Sequence, residues 1–199
     1  MLQSAIVTGA SSGIGRAACA MLAKSGYLVF GLARSYDKLQ ALAAELPAES
    51  YVPVEFDATR PETFDAVTGS IATKGEIFAL VNNAGYVEPG AIEDVSMTDL
   101  RAQFETNFFG AVGLTKAVLP AMMQKGRGRI VNVSSMAGMI SLPLIGAYCA
   151  AKHALDAVSS PDPKPRYVIG SGREKAGVRL RPFVSDRLFY SQVAKRLLT

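Results

Sequence analysis

Two patterns of apolar and polar positions alternate along the first 158 residues of the chain. Short, continuously apolar runs predict buried strands, and apolar positions every three or four residues predict helices. The predicted strands are Leu2–Thr8, Tyr27–Ala33, Tyr51–Phe56, Phe78–Val81 and Arg129–Val133. The helices predicted between and after them are Ile14–Ser25, Asp37–Leu46, Pro61–Thr73, Met97–Phe108, Gly110–Gln124 and Gly146–Ser159.

Strands that alternate with helices and are apolar throughout indicate a parallel sheet covered on both faces. We therefore predict a single-domain α/β fold with a doubly wound, Rossmann-like parallel sheet. Residues 1–159 form its core, and residues 160–199 form a shortened C-terminal segment that leaves this part incomplete. Within that segment the proline-rich stretch after Ser159 ends the helix, Arg166–Ile169 predicts a last strand and Asp186–Leu198 predicts a terminal helix.

Composition narrows the class of protein. Hydrophobic residues make up 49% and charged residues 19% of the chain, which is ordinary for a globular protein. The sequence has no apolar run near the roughly 20 residues that span a bilayer, and no charged region followed by a long apolar stretch at its start. We therefore expect a cytoplasmic protein. Two cysteines and one histidine are too few for a zinc site, so we predict no metal.

The net charge of +4 is unevenly spread. Residues 1–151 carry 11 Lys/Arg and 13 Asp/Glu, whereas residues 152–199 carry 10 and 4. A basic end suits an acidic partner, a phosphate or an anionic membrane surface, but interspersed charges favour a solvated face. Docking of the amphipathic end on a membrane is the weaker alternative. No motif indicates a nucleic-acid partner.

A glycine-rich turn joins the first predicted strand to the first helix. Glycines let a backbone approach a pyrophosphate closely, and a helix N-terminus supplies amides and a favourable dipole. The spacing is G-x3-G-x-G rather than G-x-G-x-x-G, and no Lys-Ser/Thr pair for a triphosphate follows. We predict that a dinucleotide binds here, to Gly9, Ser11, Ser12, Gly13, Ile14 and Gly15.

The end of the second strand indicates which dinucleotide is bound. A carboxylate there would select NAD by bonding the ribose 2′-hydroxyl. This chain instead has Arg34 and Ser35, and its next acid, Asp37, falls in the following helix. Arginine is well suited to a 2′-phosphate, so we predict NADP as cofactor, bound by Arg34 and Ser35.

Four further motifs follow the glycine turn in order: Asn82-Asn83-Ala84-Gly85, Asn107 within Thr-Asn-Phe-Phe-Gly, Ser134-Ser135, and Tyr148 four residues before Lys152. Together they resemble the short-chain dehydrogenase/reductase family over residues 2–158. The resemblance implies that Asn107, Ser135, Tyr148 and Lys152 are catalytic, with Ser135 chosen over Ser134 by its spacing from Tyr148. It further implies cofactor contacts from Asn83, Ala84, Gly85, Tyr148 and Lys152, with Lys152 at the nicotinamide ribose and Asn107 anchoring a water. It also implies an adenine contact from Asp57, for which a turn cap is the equal alternative.

The chemistry follows from the residue types. Tyr148 and Lys152 share a helix face, and a nearby ammonium lowers the pKa of a phenol from near 10 toward neutrality. Tyr148 would then move a proton to or from a carbonyl oxygen while the cofactor carries the hydride. Apolar residues before Tyr148, together with Tyr86, suggest an entrance for a hydrophobic alcohol or carbonyl, with simple packing of the apolar residues as the alternative. They are Met139, Ile140, Leu142, Leu144 and Ile145.

The sequence departs from the family after Lys152. The resemblance implies a longer helix, a sixth strand, a Pro-Gly turn and a substrate loop, yet the chain passes directly to Ser160-Pro161, and 163–170 resembles the family's last strand. An internal deletion, a partial sequence and a diverged relative are all consistent with this. We expect an exposed edge on the fifth strand, an open substrate pocket and weakened helix pairing in the homo-oligomer that the resemblance implies. The alternative to an active oxidoreductase is therefore an NADP(H)-binding module without turnover.

Overall fold

The computed structural model describes residues 2–158. The boundary at residue 159, the predicted strand Arg166–Ile169 and the predicted helix Asp186–Leu198 therefore lie outside the described residues, as does the basic end of the chain.

Five strands form one parallel sheet in the order β3-β2-β1-β4-β5. The strands are β1 (Gln3–Thr8), β2 (Leu28–Ala33), β3 (Tyr51–Glu55), β4 (Glu76–Asn82) and β5 (Arg129–Asn132). The predicted doubly wound α/β fold is thus confirmed. All five predicted strands are present. Burial on both faces explains why β1 and β2 are apolar throughout, whereas Arg129 and Val131 of β5 are exposed.

Residues 2–158 contain six α-helices: α1 (Gly13–Lys24), α2 (Tyr36–Ala43), α3 (Phe64–Lys74), α4 (Met97–Phe104), α5 (Gly110–Lys125) and α6 (Gly146–Val158). Three helix boundaries differ from the prediction by three or more residues. Pro61–Thr63 is a 3₁₀ turn ahead of α3, and α2 ends early because Glu45 and Leu46 donate to carbonyls three residues back, which tightens its last turn. The two predicted helices around Gly110 are joined by a π-helical turn, Glu105–Phe109.

The core lies on both faces of the sheet, because successive side chains of a strand point to opposite sides. On one face, Ile6, Phe30 and Leu80 of the strands pack against α3 and α5. Leu114 and Met122 are the contribution of α5 to this cluster. On the opposite face the buried cluster is formed by Ala5, Val7, Ala10, Cys19, Ala23, Val29, Ala33, Leu39, Leu42 and Tyr51. The sheet is therefore a rigid layer whose carboxyl edge can hold side chains in place.

The chain changes direction across the sheet between β3 and β4. The first three strands run outward from β1 on one side, and β4 then pairs with the other side of β1. Chain segments leaving the carboxyl ends of β1 and β4 turn away from each other, which opens the crevice where ligands bind in sheets of this kind. The glycine turn, the Asn-Asn-Ala-Gly motif and the Ser134-Ser135 pair all follow strands at this edge.

We expect opposite stability effects from alanine at two glycines. A Cβ on Gly31 of β2 would overlap the Tyr51 ring, so Gly31→Ala should destabilise the fold by about 2 kcal/mol. A Cβ on Gly69, inside α3, meets nothing within 4 Å, so Gly69→Ala should stabilise it by roughly 0.5–1 kcal/mol. Urea unfolding of both variants measures the two effects, and equal effects would contradict this packing.

Candidate active site

The glycine turn is shaped to receive a phosphate group. Gly9 and Gly13 have φ angles of 65° and 52°, which favour glycine, and a Cβ on Gly15 would collide with the carbonyl oxygen of Gly9. Among the described residues no side chain caps the N-terminus of α1, and its first turn has no acidic residue. The first amides of α1 and the positive end of its dipole are therefore open to an anion, which fits the pyrophosphate of a dinucleotide.

Hydrogen bonds fasten this turn to the Asn-Asn-Ala-Gly motif. The buried Thr8 Oγ1 accepts from the amides of Asn83 and Ala84, both at 2.9 Å, and Asn83 Nδ2 donates to the Thr8 carbonyl at 3.0 Å. A Cβ on Gly9 would lie 2.8 Å from Asn83 Nδ2. The ends of β1 and β4 are thus held together, with glycine required where they meet.

Asn82 is a buried residue of this site that the sequence prediction missed. Its Nδ2 donates to Asn132 Oδ1 at 2.8 Å and to Thr115 Oγ1 at 3.0 Å, so it ties β4 to β5 and α5. The available signal was an amide side chain at the end of an otherwise apolar strand, where a buried polar group needs partners. Asn82 therefore sets the spacing between the segments that follow β4 and β5.

Asn107 is buried in the π-helical turn and is bound to the loop after Gly85. Its Oδ1 accepts from the amide of Tyr86 at 2.9 Å, and its Nδ2 donates to the Tyr86 carbonyl at 2.8 Å. A Cβ on Gly85 would lie 2.9 Å from Asn107 Oδ1 and 3.6 Å from Lys152 Nζ. The structure thus brings Asn107, Gly85 and Lys152 together. Anchoring of a water by Asn107 stays a prediction.

Lys152 and Tyr148 lie one turn apart on α6. Lys152 is only 4% exposed, and its Nζ donates to the Val133 carbonyl at 2.9 Å and lies 5.8 Å from the centre of the Tyr148 ring. Burial lowers the pKa of Lys152 from 10.5 to about 8, although the charge of Asp156 works against this shift. A lysine with this pKa can both stabilise a phenolate and exchange a proton near neutral pH.

The two serines after β5 have different surroundings. Ser135 Oγ accepts from the amide of Ala137 at 3.2 Å and caps the 3₁₀ turn Met136–Gly138. Its hydroxyl proton can still be donated to a substrate oxygen, because a hydroxyl accepts and donates at once. Ser134 Oγ is buried and has no hydrogen-bond partner among the described residues. The catalytic assignment of Ser135 remains a prediction from spacing.

The predicted 2′-phosphate residues follow β2 at the same edge of the sheet. Arg34 is exposed, and Ser35 precedes α2 without capping it through its side chain. Asp57 Oδ1 accepts from the amide and the hydroxyl of Thr59 at 2.9 and 2.8 Å, so the carboxylate caps the turn after β3. Burial raises the pKa of Asp57, but the Thr59 hydrogen bonds and the charge of Arg34 outweigh burial and hold it below its usual value.

A cavity of about 250 Å³ lies between the loop after Tyr86 and the segment before Tyr148. The Gly90 amide donates to the Leu144 carbonyl at 2.7 Å and ties the two walls together. Of the predicted entrance residues, Leu142 and Leu144 line the cavity. Ile140 is buried and does not line the cavity, so at this residue the structure agrees with the alternative of simple packing. A larger cavity between α3 and β3 contains none of the predicted site residues.

Among residues 2–158, no group of three or more His, Cys, Asp or Glu side chains is placed to hold a metal ion. Within the same part of the chain, no helix has the length and apolar character needed to cross a bilayer.

Fold and site together define a doubly wound α/β protein with a glycine turn at its switch point and, on α6, Tyr148 one turn before the buried Lys152. Comparison with known proteins agrees with this description of the fold and the site. Residues 3–160 match the short chain dehydrogenase family, and the chain belongs to that family.

Individual relatives share the same region. An uncharacterised oxidoreductase of Bacillus subtilis, YusZ, is 40% identical over 159 residues, which is 78% of this chain and 56% of YusZ. A short-chain dehydrogenase structure from Streptomyces avermitilis matches with a TM-score of 0.75 and 36% identity over 92% of this chain and 62% of that one. The structure of an alcohol dehydrogenase of Thermococcus sibiricus complexed with 5-hydroxy-NADP matches with a TM-score of 0.74 and 28% identity. That match covers 79% of this chain and 68% of the other. The chain thus spans little more than half the length of YusZ.

We expect the buried ammonium of Lys152 to appear in the pH dependence of stability. Between pH 8 and 10.5 the unfolded chain holds more protons at this lysine than the folded chain, so its contribution makes folding more favourable as pH rises. Lys152→Met removes this dependence. The stability of the wild type relative to the variant should therefore rise by about 3 kcal/mol across that range, measured by urea unfolding at stepped pH. A constant difference would show that the lysine is not perturbed.

Proposed function

We propose that this protein is a cytoplasmic NADP(H)-dependent oxidoreductase that interconverts a hydrophobic alcohol and its carbonyl compound. The observation that carries the proposal is the buried Lys152, held by the Val133 carbonyl beside the Tyr148 ring at the mouth of the switch-point crevice. A buried ammonium next to a phenol is costly for stability and serves proton transfer well. Membership of the short chain dehydrogenase family supports the same reaction class.

The cofactor is proposed to lie across the carboxyl ends of β1 and β4. The open amides of α1 and the glycine turn would hold its pyrophosphate, from Gly9, Ser11, Ser12, Gly13, Ile14 and Gly15. Asn83, Ala84 and Gly85 would border its middle, and Arg34 and Ser35 would hold the 2′-phosphate. Asp57, whose other oxygen is not used by Thr59, would face the adenine. When bound, NADPH supplies the hydride.

Proton movement is assigned to the residues of the chain itself. In the reducing direction, the Tyr148 hydroxyl gives its proton to the substrate oxygen while the Ser135 hydroxyl donates a hydrogen bond to the same oxygen. The ammonium of Lys152 stabilises the phenolate that is left. Because the pKa of Lys152 is about 8, this lysine can return a proton to Tyr148 near neutral pH. Asn107 fixes the loop at Tyr86 against this centre.

A hydrophobic substrate fits the cavity next to Tyr148. Ile92, Val95, Leu142 and Leu144 contribute apolar walls, and Ala147 directly precedes the tyrosine.

The second candidate is an NADP(H)-binding module without turnover, because the chain corresponds to 56% of the length of YusZ. The two candidates share cofactor binding and differ only in chemistry.

Replacing Tyr148 separates the candidates. For Tyr148→Phe we expect kcat/KM for reduction of hydrophobic ketones such as 4′-ethylacetophenone to fall at least about 10²-fold, since the proton donor is removed. NADPH affinity, measured by fluorescence titration, should change little. The matched control is Tyr27→Phe, which alters a tyrosine stacked on Phe78 before β2, at the opposite edge of the sheet. Turnover that survives in Tyr148→Phe would refute the mechanism, and binding without turnover in the wild type would favour the module.

Arg34 should decide the choice of cofactor. Arg34→Ala removes the charge proposed to meet the 2′-phosphate, so we expect the Kd of NADPH to rise about tenfold or more and the Kd of NADH to change little. Paired titrations at one fixed ionic strength measure both constants. The control is Arg101→Ala, at an exposed position on α4. Equal losses for the two cofactors would show that Arg34 does not read the phosphate.

A further inference from the structure

We propose that Glu88 is a specificity-determining residue and that the substrate carries an ammonium group on its apolar body. This inference rests on the proposed function, because it names the class of alcohol or carbonyl compound that the cavity beside Tyr148 accepts. It concerns binding at the far wall of the cavity and leaves the proton chemistry unchanged.

Glu88 is the one charged residue among the described residues that line this cavity. Its other lining residues are glycine or apolar: Gly90, Ala91, Ile92, Val95, Leu142, Pro143, Leu144, Gly146 and Ala147. Glu88 itself is half-buried. A single carboxylate in an otherwise apolar cavity distinguishes ligands strongly, since every ligand that enters must either pair with it or remove its water.

The carboxylate has no ionic partner of its own in the described part of the chain. None of the ion pairs formed by residues 2–158 includes Glu88. A wholly apolar ligand would therefore strip water from a charge and give nothing in return, whereas an ammonium would form a charge-assisted hydrogen bond with it. Selection against the neutral ligand is thus as important as attraction of the cation.

Tyr86 adds a second feature that suits a cation. Burial first, and then the negative charge of Glu88, raise the pKa of Tyr86, which places the carboxylate within electrostatic reach of this phenol. The ring is partly exposed, and Asn107 fixes its backbone. Tyr86 does not line the cavity itself, so its ring adds to the electrostatic surroundings of Glu88 and is not a wall that a ligand must contact.

The walls of the cavity are held in a fixed relation to the reacting tyrosine. The Gly90–Leu144 hydrogen bond joins the loop that carries Glu88 to the segment that leads into Tyr148. Leu144, which accepts this bond, adopts a φ of 63°, which is unusual for a leucine. Because the two walls are tied together and Ala147 of the second wall directly precedes Tyr148, we place the carbonyl end of the ligand toward Tyr148 and its ammonium toward Glu88.

Three ketones of closely similar size test the inference. They are 4′-(aminomethyl)acetophenone, its neutral isostere 4′-ethylacetophenone, and the anion 4-acetylphenylacetate. In the wild type we expect kcat/KM for the amine to exceed that for the isostere about tenfold, which corresponds to about 1.4 kcal/mol, with the anion poorest. Glu88→Gln should bring the amine and the isostere to parity, and Glu88→Lys should make the anion the best of the three. The control Glu93→Gln removes an exposed carboxylate of the same loop that does not line the cavity and should keep the wild-type ranking.

Binding of the same ligands is measured separately by ligand-observed NMR on the full chain, with and without NADPH. A preference for the amine that disappears in Glu88→Gln supports the inference even where no ketone is turned over, so failure of the oxidoreductase proposal is recognised independently. Equal binding of the amine and the isostere, or no binding of either, overturns it.

The competing explanation is that Glu88 pairs with a basic side chain from residues 159–199. That arrangement predicts a lower Tm for Glu88→Gln without ligand and no amine preference in the wild type, and this result also overturns the inference.

Discussion

One hydroxyl group holds the carboxyl edge of the sheet together. Thr8 Oγ1, buried at the end of β1, accepts from two consecutive amides at the end of β4, and the Asn83 side chain returns a bond to the Thr8 carbonyl. Amides at the end of a buried strand must find partners or lose free energy, and here a single side chain satisfies both. Because the chain reverses its direction across the sheet between these two strands, this contact sets the width of the crevice.

The polar groups around the crevice extend from this contact. Asn82 carries the alignment to β5 and α5 through Asn132 and Thr115, and Asn107 carries it to the loop at Tyr86. The carbonyl of Val133, at the end of this network, accepts from Lys152. Every link joins a different element, so the ammonium is held in place by the sheet and not by its own helix alone. Preorganisation of this kind lets a buried charge act without reorganisation of its surroundings.

The degree to which the sequence predicts this structure depends on what each residue faces. The strands β1 and β2 were predicted well because they are buried on both faces and therefore apolar throughout. The start of β4 was missed because Glu76 interrupts that pattern, and its partner Arg127 lies 51 residues away in sequence. The π-helical turn has no sequence pattern of its own, since it depends on the fit of Asn107 to a distant backbone.

The same distinction applies to the site. The spacing of motifs predicted which side chains meet, and Asn107, Gly85, Tyr148 and Lys152 do lie together. It could not predict that Ser134 and Ser135 have opposite surroundings. It left two alternatives open at Asp57 and at Ile140, where the structure shows a turn cap and a buried side chain. Those outcomes depend on where each backbone segment leaves the sheet, which is a property of tertiary packing.

The residues proposed for chemistry and the residue proposed for specificity lie in different parts of this molecule. The residues proposed to move the proton lie on α6 and just after β5, beside the buried network. The walls of the adjacent cavity come from residues 88–95 and from residues 142–147, which lead into the start of α6, and the Gly90–Leu144 bond ties these two segments together. A substitution there changes what enters without disturbing the buried network, because loops at the edge of a rigid sheet contribute few contacts to its core. On the function proposed above, a single carboxylate on such a loop would change the class of substrate while the residues proposed to move the proton stay the same.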